Sequence, residues 1–83
     1  MHRTLFTRES KKNLSSIPKE YQIAVINSLK GLSNDPLKGK PLGGKFKGQY
    51  SLRVGVYRVV YIFSSSDKIV LILGIKHRRE AYK

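Results

Sequence analysis

The side chains in this sequence that are best suited to chemistry are cations, and their densest group stands at the C-terminal end. The last nine residues, IKHRREAYK, place five basic side chains, the histidine included, around Tyr82. Arg58 is a second candidate, because it interrupts the strand-like stretch VYRVVYIF. An unpaired arginine is costly to bury, whereas a guanidinium held on a rigid strand suits a phosphate group. The sequence therefore predicts a phosphate site built from Arg58 and the C-terminal group Lys76, His77, Arg78, Arg79, Tyr82 and Lys83.

Each of these residues also has a purely structural interpretation. Arg58 could pair with Glu80 or extend its charged head to the edge of the sheet. The C-terminal group could be a solvated basic tail held by Tyr82. Further cations lie in a loop rich in glycine and proline (residues 36–48) and in the strand after it, where a basic surface that steers association is the simplest interpretation. These further cations include Lys45, Lys47 and Arg53.

A crowd of cations would alter the acid–base chemistry of a tyrosine or lysine among them. Free tyrosine and lysine side chains have pKa values near 10. Neighbouring cations lower both values, because they favour phenolate and disfavour ammonium. Tyr82 is therefore predicted to act as a base or as a stacking platform for a nucleobase. A free imidazole titrates near neutrality, so His77 could serve as an acid, and Arg58 and Arg78 would stabilise charge on a phosphate.

The charge balance points to a polyanionic partner. The 83 residues contain 17 Lys and Arg against 5 Asp and Glu, a formal net charge of +12. Residues 36–83 carry eleven of the basic and two of the acidic residues, a net charge of +9. A nucleic acid, an anionic membrane and an acidic protein all fit this charge. The second half of the chain is predicted to bind the polyanion.

Other classes of protein are excluded by composition. The chain has no cysteine, which rules out disulfides and thiolate metal sites, and its two histidines lack a carboxylate cluster. We therefore expect no metal and no small-molecule cofactor. The longest apolar run, residues 69–73, is far shorter than the roughly 20 residues that span a bilayer. We expect a cytoplasmic protein with no membrane partner.

The elements that must position these cations can be inferred from periodicity. RTLFT indicates a short strand and RESKKNLSSI a short helix, followed by an amphipathic helix over PKEYQIAVINSLKGL whose apolar face Ile23 and Ile26 broaden. Ser15 or Ser16 is expected to cap this second helix. Three strands follow, QYSLRV, VYRVVYIF and IVLILGIK. Together they predict one α/β (α+β) domain over residues 1–83, with a short N-terminal strand and a two-helix hairpin packed on a small, mostly antiparallel sheet.

The order of these features resembles the RelE/ParE superfamily of bacterial and archaeal toxins. The pieces that carry the resemblance are RVGVYRVVY and HRREAY, and the similarity runs through the whole chain. The resemblance implies a compact RelE-like toxin neutralised by a cognate antitoxin, which the charge predicts to be acidic. It also implies, for the RelE branch, cleavage of messenger RNA in the ribosomal A site without a metal.

The family motifs match this chain at the predicted catalytic residues Arg58, Arg78 and Tyr82. Lys76 or His77 could occupy the role of Arg78 instead. The family's pair of strand lysines is replaced by Gln49 and Ser51. The resemblance implies messenger RNA and the ribosome as partners, and the residues expected to contact RNA are Lys45, Lys47, Arg53, Lys76, His77 and Arg79.

Two other functions remain open at this stage. A ParE-like toxin of the same fold would act by binding DNA gyrase, and a non-catalytic basic module would bind nucleic acid without cleaving it. The C-terminal group of bases around a tyrosine favours RNA cleavage over gyrase inhibition, because gyrase binding needs no phosphate chemistry.

Overall fold

The computed structural model describes residues 1–79, and these residues form five strands and two α-helices. In chain order the elements are β1 (Arg3–Phe6), α1 (Arg8–Ser16), α2 (Lys19–Asn34), β2 (Lys40–Pro41), β3 (Tyr50–Val54), β4 (Tyr57–Ser64) and β5 (Ile69–His77). The strands form one sheet in the order β1-β5-β4-β3-β2. Only the β1–β5 pair is parallel among these strands of residues 1–79. The predicted α+β class with a mostly antiparallel sheet is confirmed.

Helix α2 covers one face of the sheet and contributes one side of the core. Its buried residues Val25, Leu29 and Leu32 recur at the spacing of a single helix face. They pack against the sheet residues Val54, Val59, Tyr61, Val70, Ile72 and Ile75. The prediction that Ile23 and Ile26 broaden the buried face is wrong, since they are 54% and 45% exposed. Neither helix within residues 1–79 is long and apolar enough to cross a membrane.

Helix α1 lies along the edge of β5 that faces away from β4. Thr7 caps the helix by accepting a hydrogen bond from the Ser10 N–H, while the hydroxyl of Thr7 donates to the Leu73 carbonyl at 3.2 Å. One turn later the Asn13 side-chain oxygen accepts the Ile75 N–H at 3.0 Å. These side-chain bonds satisfy backbone groups of β5 beyond the end of β1, so α1 continues the edge that β1 begins.

The prediction that Ser15 or Ser16 caps α2 is wrong. Ser15 and Ser16 donate their hydroxyls back to the Lys12 carbonyl inside α1, at 2.9 Å and 2.8 Å. Neither therefore caps α2, which begins after Pro18 without a side-chain cap. Hydroxyl groups near a helix end readily bond the carbonyl three or four residues earlier, which here removes them from the next helix.

A β-bulge in β5 decides which of its side chains face the core. Val60 pairs with Gly74 and Tyr61 with Ile72, so Leu73 is left as an extra residue without a partner on β4. An extra residue reverses the alternation of faces along a strand. Ile72 before the bulge and Ile75 after it therefore both lie in the core.

The turn between β3 and β4 fixes the register of these two strands. Only Gly55 and Val56 separate the paired residues Val54 and Tyr57, and Gly55 has φ of +60°. A positive φ at the first of two turn residues is typical of a type II′ hairpin, which favours glycine at that position. The tight turn places Arg53 directly opposite Arg58.

The loop that follows α2 is held to the sheet by Tyr61. The Tyr61 hydroxyl donates to the Pro36 carbonyl at 2.6 Å and accepts the Gly39 N–H at 2.9 Å. Burial raises the pKa of Tyr61, the hydrogen bond from Gly39 lowers it, and the net direction is upward. This loop leads into β2, so the contact also holds that short edge strand in position.

Candidate functional site

Three cations stand side by side on the sheet face that is turned away from α2, which we call the far face. Arg53 on β3 pairs with Arg58 on β4, and Arg58 pairs with Lys76 on β5. Neighbouring strands are about 4.8 Å apart, and like charges placed directly opposite each other destabilise a sheet. This cation row, Arg53, Arg58 and Lys76, therefore places three like charges in register on one face, a pattern that suits a site for an anion.

The members of the cation row differ in exposure and in their neighbours. Arg58 is half-buried in the middle of the row, whereas Arg53 at one end is exposed. The Arg53 Nε lies 3.5 Å from the Gly55 carbonyl, a long and weak hydrogen bond. At the other end the Lys76 ammonium lies 3.6 Å from the Glu9 carboxylate of α1. A central guanidinium on a rigid strand, with one cation on each side, is suited to hold a phosphate group.

The bulge at Leu73 selects Lys76 and not His77 as the β5 residue beside Arg58. Without the extra residue, strict alternation from Ile72 would turn His77 to the far face and Lys76 to the core face. Instead, His77 lies on the same side as Tyr57, and their rings meet edge to face at a centroid distance of 5.6 Å. His77 therefore lies across the sheet from the cation row, while Lys76 is part of it.

The residues that follow β5 extend its pairing with the β3–β4 hairpin. The Arg78 N–H donates to the Val56 carbonyl at 2.7 Å, which places this residue at the end of the sheet nearest the hairpin turn. Arg78 and Arg79 are both exposed, and the Arg79 N–H donates to Nδ1 of His77 at 3.2 Å. The predicted catalytic Tyr82 lies outside the residues that the structure describes.

The loop lysines are at the opposite end of β3 from Arg53. Lys45 and Lys47 are exposed in the connection between β2 and β3, just before Tyr50. The Lys45 ammonium lies 5.3 Å from the centroid of the Phe46 ring, in a cation–π contact. Because Tyr50 and Arg53 are three residues apart on a rigid strand, these lysines flank the far face at a distance of about 10 Å or more from the cation row.

Lys40 lies beside Ser51, one of the two positions where the family has a strand lysine. Lys40 was not among the site residues predicted from the sequence. Ser51 is a buried residue of the far face, and Lys40 of β2 pairs with it directly. Residues opposite each other in an antiparallel pair share a face, so Lys40 supplies a charge beside Ser51 from the neighbouring strand. No sequence signal reveals this, because β2 has only two residues and its pairing is visible only in the fold.

Within residues 1–79, no three histidine, cysteine, aspartate or glutamate side chains come together as they would to hold a metal ion. The charged side chains of the cation row are all cations. Preorganised positive charge on a rigid sheet favours a group that gains negative charge during a reaction.

Comparison with known proteins gives consistent relatives. The family model described as "ParE toxin of type II toxin-antitoxin system, parDE" matches residues 4–82. Toxin RelG of Mycobacterium tuberculosis is 35% identical over 80 residues, which cover 94% of this chain and 92% of that protein. The toxin–antitoxin complex RelBE2 of the same organism contains a chain with a TM-score of 0.86 and 33% identity, covering 93% of this chain and 98% of that one. An archaeal RelE–RelB complex from Pyrococcus horikoshii OT3 has a TM-score of 0.77 at 26% identity, covering 96% and 98%.

Proposed function

Since the chain belongs to the ParE toxin family of type II toxin–antitoxin systems, in the RelE/ParE superfamily, we propose that this toxin is an endoribonuclease. Its substrate would be messenger RNA on the ribosome in the cytoplasm, and cleavage would stop translation. The cation row is the observation that carries the proposal, because three cations in direct register on a rigid sheet offer concentrated positive charge to a phosphate.

The reaction that suits these residues uses the RNA's own 2′-hydroxyl and needs no metal. The 2′-oxygen attacks the adjacent phosphorus and its proton passes to a base. The bond from phosphorus to the 5′-oxygen then breaks, and an acid protonates that oxygen. The products are a 2′,3′-cyclic phosphate and a free 5′-hydroxyl. A base, an acid and positive charge near the phosphorane are required.

The proposed roles of Arg58 and Arg78 follow from position and chemistry, and that of Tyr82 follows from the sequence alone. Arg58 and Arg78 stabilise the charge on the phosphorane, and Tyr82 acts as the base or as a stacking surface for the neighbouring nucleobase. Lys76 and Arg53 flank Arg58 and hold the RNA backbone. The exposed Lys45, Lys47 and Arg79 extend the positive surface along the RNA. His77, which the sequence also predicts to contact RNA, lies on the other side of the sheet beside Tyr57 and is not part of this surface.

The central test is replacement of Arg58. Arg58→Ala is expected to lower cleavage of messenger RNA in a translating lysate by about 10²–10³-fold, the loss typical of one preorganised charge-stabilising group. Arg58→Lys is expected to keep part of the activity, since it retains the charge but loses the planar fork. Arg78→Ala and Tyr82→Phe are measured in the same assay by mapping new 5′ ends.

The matched control is Lys19→Gln. This lysine is exposed at the start of α2, on the opposite side of the sheet, and its replacement also removes one positive charge. It is expected to cleave like the wild type. Wild-type activity in the Arg58, Arg78 and Tyr82 variants together would rule out the assigned site.

Gyrase inhibition is the second function to be tested, because the matching family model carries the ParE name. A supercoiling assay with purified gyrase separates it from RNA cleavage. Inhibition of supercoiling that survives Arg58→Ala, with no new messenger RNA ends, would replace the ribonuclease proposal. Binding of RNA with steep salt dependence and no product would instead indicate a non-catalytic module.

An acidic antitoxin is the proposed protein partner, and the chain has an apolar groove suited to it. The groove has a volume of about 760 Å³ and lies between β1 and the two helices, with Phe6, Leu14 and Ile26 among its lining and Arg3 and Lys30 at its borders. The solved relatives RelBE2 and the archaeal RelE are complexes with their antitoxins. We propose that an acidic segment of the antitoxin places its apolar side chains in this groove and its carboxylates near the two cations.

Two exposed isoleucines of α2 provide the test of this groove. Ile26 lines it and Ile23 does not, although both are about half exposed. Ile26→Ser is expected to weaken binding of the cognate antitoxin about tenfold, from the loss of roughly 1.5 kcal/mol of apolar burial. Ile23→Ser is expected to bind within about twofold of the wild type. Equal effects of the two changes in calorimetry would exclude the groove.

A further inference from the structure

The Lys76 side chain is folded toward α1, on the side of β5 that faces away from Arg58. Its Cε lies 3.6 Å from the point where a Cβ on Gly74 would stand, so the aliphatic stem runs back along its own strand. Its ammonium ends 3.6 Å from the Glu9 carboxylate. Since α1 borders the edge of β5 opposite β4, this ion pair draws the charge of Lys76 away from the rest of the cation row.

Glu9 stands on a helix that is anchored to β5. It lies in the first turn of α1, between Thr7, which bonds the Leu73 carbonyl, and Asn13, which bonds the Ile75 N–H. The same two contacts therefore fix the helix on both sides of the carboxylate. Glu9 and Lys76 are 66% and 40% exposed, so water and an incoming anion can reach the pair. An exposed pair of this kind is weak enough to be exchanged.

We propose that Glu9 competes with the RNA phosphate for Lys76, so that Lys76 joins Arg53 and Arg58 only when the phosphate has displaced the Glu9 carboxylate. This inference rests on the proposed binding of RNA to the far face. It makes Glu9 a positioning residue that sets how much positive charge the free site presents. It also relieves the repulsion between Lys76 and Arg58 while the site is empty.

Competition of this kind has a signature in the salt dependence of binding. A lysine that binds a phosphate releases about 0.7 cation from single-stranded nucleic acid. When that lysine leaves Glu9, an ion pair that salt also weakens is lost, so part of this salt dependence is offset. Removal of the Glu9 charge should therefore steepen the salt dependence through Lys76 alone.

The test is a double-mutant cycle with the intact chain. Glu9→Gln, Lys76→Gln and the double variant are titrated with a single-stranded RNA oligonucleotide whose 2′-hydroxyls are methylated, so that it binds and is not cleaved. Glu9→Gln is expected to tighten binding up to about fivefold, the size of an exposed ion pair. It should also steepen the plot of log K against log salt, by less than the roughly 0.7 of one complete phosphate contact. In the Lys76→Gln background both effects should disappear.

Glu20→Gln is the matched control. Glu20 is an exposed acid in the first turn of α2, so its replacement changes the net charge and a helix N-terminus in the same way. It is expected to change affinity by less than about twofold, because its charge is screened from the far face. Equal effects of Glu9→Gln and Glu20→Gln, an effect of Glu9→Gln that survives Lys76→Gln, or weaker binding by Glu9→Gln would each overturn the proposal.

A second probe separates this inference from the proposed function. Inorganic tripolyphosphate is titrated into the same four proteins by calorimetry, in parallel with the cleavage assay on the wild type and Arg58→Ala. If tripolyphosphate reproduces the Lys76-dependent gain while no messenger RNA is cleaved, the competition stands and the ribonuclease proposal fails. If cleavage depends on Arg58 but the cycle shows no coupling with either probe, the function stands and the role of Glu9 is refuted.

Discussion

At the scale of single residues, Tyr61 joins the core to the loop that leads into the far face. Its hydroxyl is buried and bonded on both sides, to the Pro36 carbonyl and the Gly39 N–H. A buried hydroxyl that both donates and accepts a hydrogen bond stabilises the fold. If it is removed, the two backbone groups that it bonded stay buried without a partner, which costs free energy. Strand alternation places Tyr61 on the same face as Val59, which is the core face, but the polar partners of Tyr61 come from a loop that periodicity does not describe.

Tyr61→Phe is expected to lower the free energy of unfolding by about 1–3 kcal/mol, because it leaves two buried backbone groups unsatisfied. The difference from the wild type should also depend on pH. Because the pKa of Tyr61 is raised in the fold, the contribution of its neutral form is complete below about pH 10 and is lost as the pH rises through the folded value. Urea unfolding of both proteins between neutral and strongly alkaline pH measures this, and a constant difference would contradict it.

The hydrogen bond between the Gly39 N–H and the Tyr61 hydroxyl leaves no room for a side chain at position 39. An alanine Cβ there would lie 2.5 Å from the Tyr61 hydroxyl oxygen and 2.9 Å from the Ser51 carbonyl, so the loop or the strand must move. Gly39→Ala is expected to destabilise the protein by about 1–3 kcal/mol in chemical denaturation. Gly43→Ala is the control, since its added methyl would meet no atom within 4 Å and its φ of −110° is ordinary. Similar losses in both variants would exclude this explanation.

At the scale of elements, α1 and its cap residue supply the hydrogen bonds that a neighbouring strand would otherwise make to the edge of β5. Its Thr7 and Asn13 side chains bond the β5 edge where β1 has ended. This places α1 beside the second half of β5, the part that carries Lys76. The position of the cation row therefore depends on a helix, through two polar side chains whose role only the long-range docking reveals.

Asn13→Ala is expected to expose the Ile75 N–H and to speed its hydrogen exchange by about tenfold or more, because the amide loses its only acceptor among residues 1–79. Asn13→Asp is the matched control, since it keeps an oxygen at the same position. NMR-detected exchange of the Ile75 amide is the measurement. Equal protection in the alanine and aspartate variants would show that the side-chain oxygen does not hold this edge.

The bulge at Leu73 is the feature of the site that the sequence could not predict. Alternation correctly separates Arg53 and Arg58 from the core residues of their strands. Along β5 the sequence reads as one apolar run, and nothing in it reveals that Leu73 is an extra residue. The sequence alone therefore does not show that Lys76, and not His77, lies beside Arg58.

The helices show the same division between local and non-local information. The apolar face of α2 is predicted correctly for Val25, Leu29 and Leu32, whose spacing is a property of the chain alone. Ile23 and Ile26 are predicted wrongly, because the width of a buried face depends on what packs against it. The parallel pairing of β1 with β5 joins distant parts of the sequence, and a four-residue strand carries no signal of its partner.

At the scale of the whole molecule, one sheet face brings together cations from several strands. The far face carries Lys40, Arg53, Arg58 and Lys76 from four successive strands. A surface of this kind attracts polyanions at a distance and raises their rate of encounter. The contribution of the far-face cations to RNA binding should therefore differ from the contribution of the net charge alone.

Two double variants with the same net charge test this distribution. Lys40→Gln with Arg53→Gln, and Lys11→Gln with Lys12→Gln, each reduce the formal charge from +12 to +10. The far-face pair is expected to flatten the salt dependence of binding to the methylated RNA by about 1.4, or two phosphate contacts. The α1 pair should leave the slope nearly unchanged. Equal slopes would show that RNA responds to net charge and not to the far face.

The short edges of the sheet have a consequence for how this protein behaves among its own copies. At one edge, β2 has two residues, and one of them is Pro41, which has no N–H to donate. At the other, β1 has four residues before α1 takes over the border of β5. Within residues 1–79, neither edge offers the long flat row of unpaired backbone groups that seeds edge-to-edge aggregation. The sheet can therefore display a concentrated positive charge and still resist assembling into fibrils through its edges.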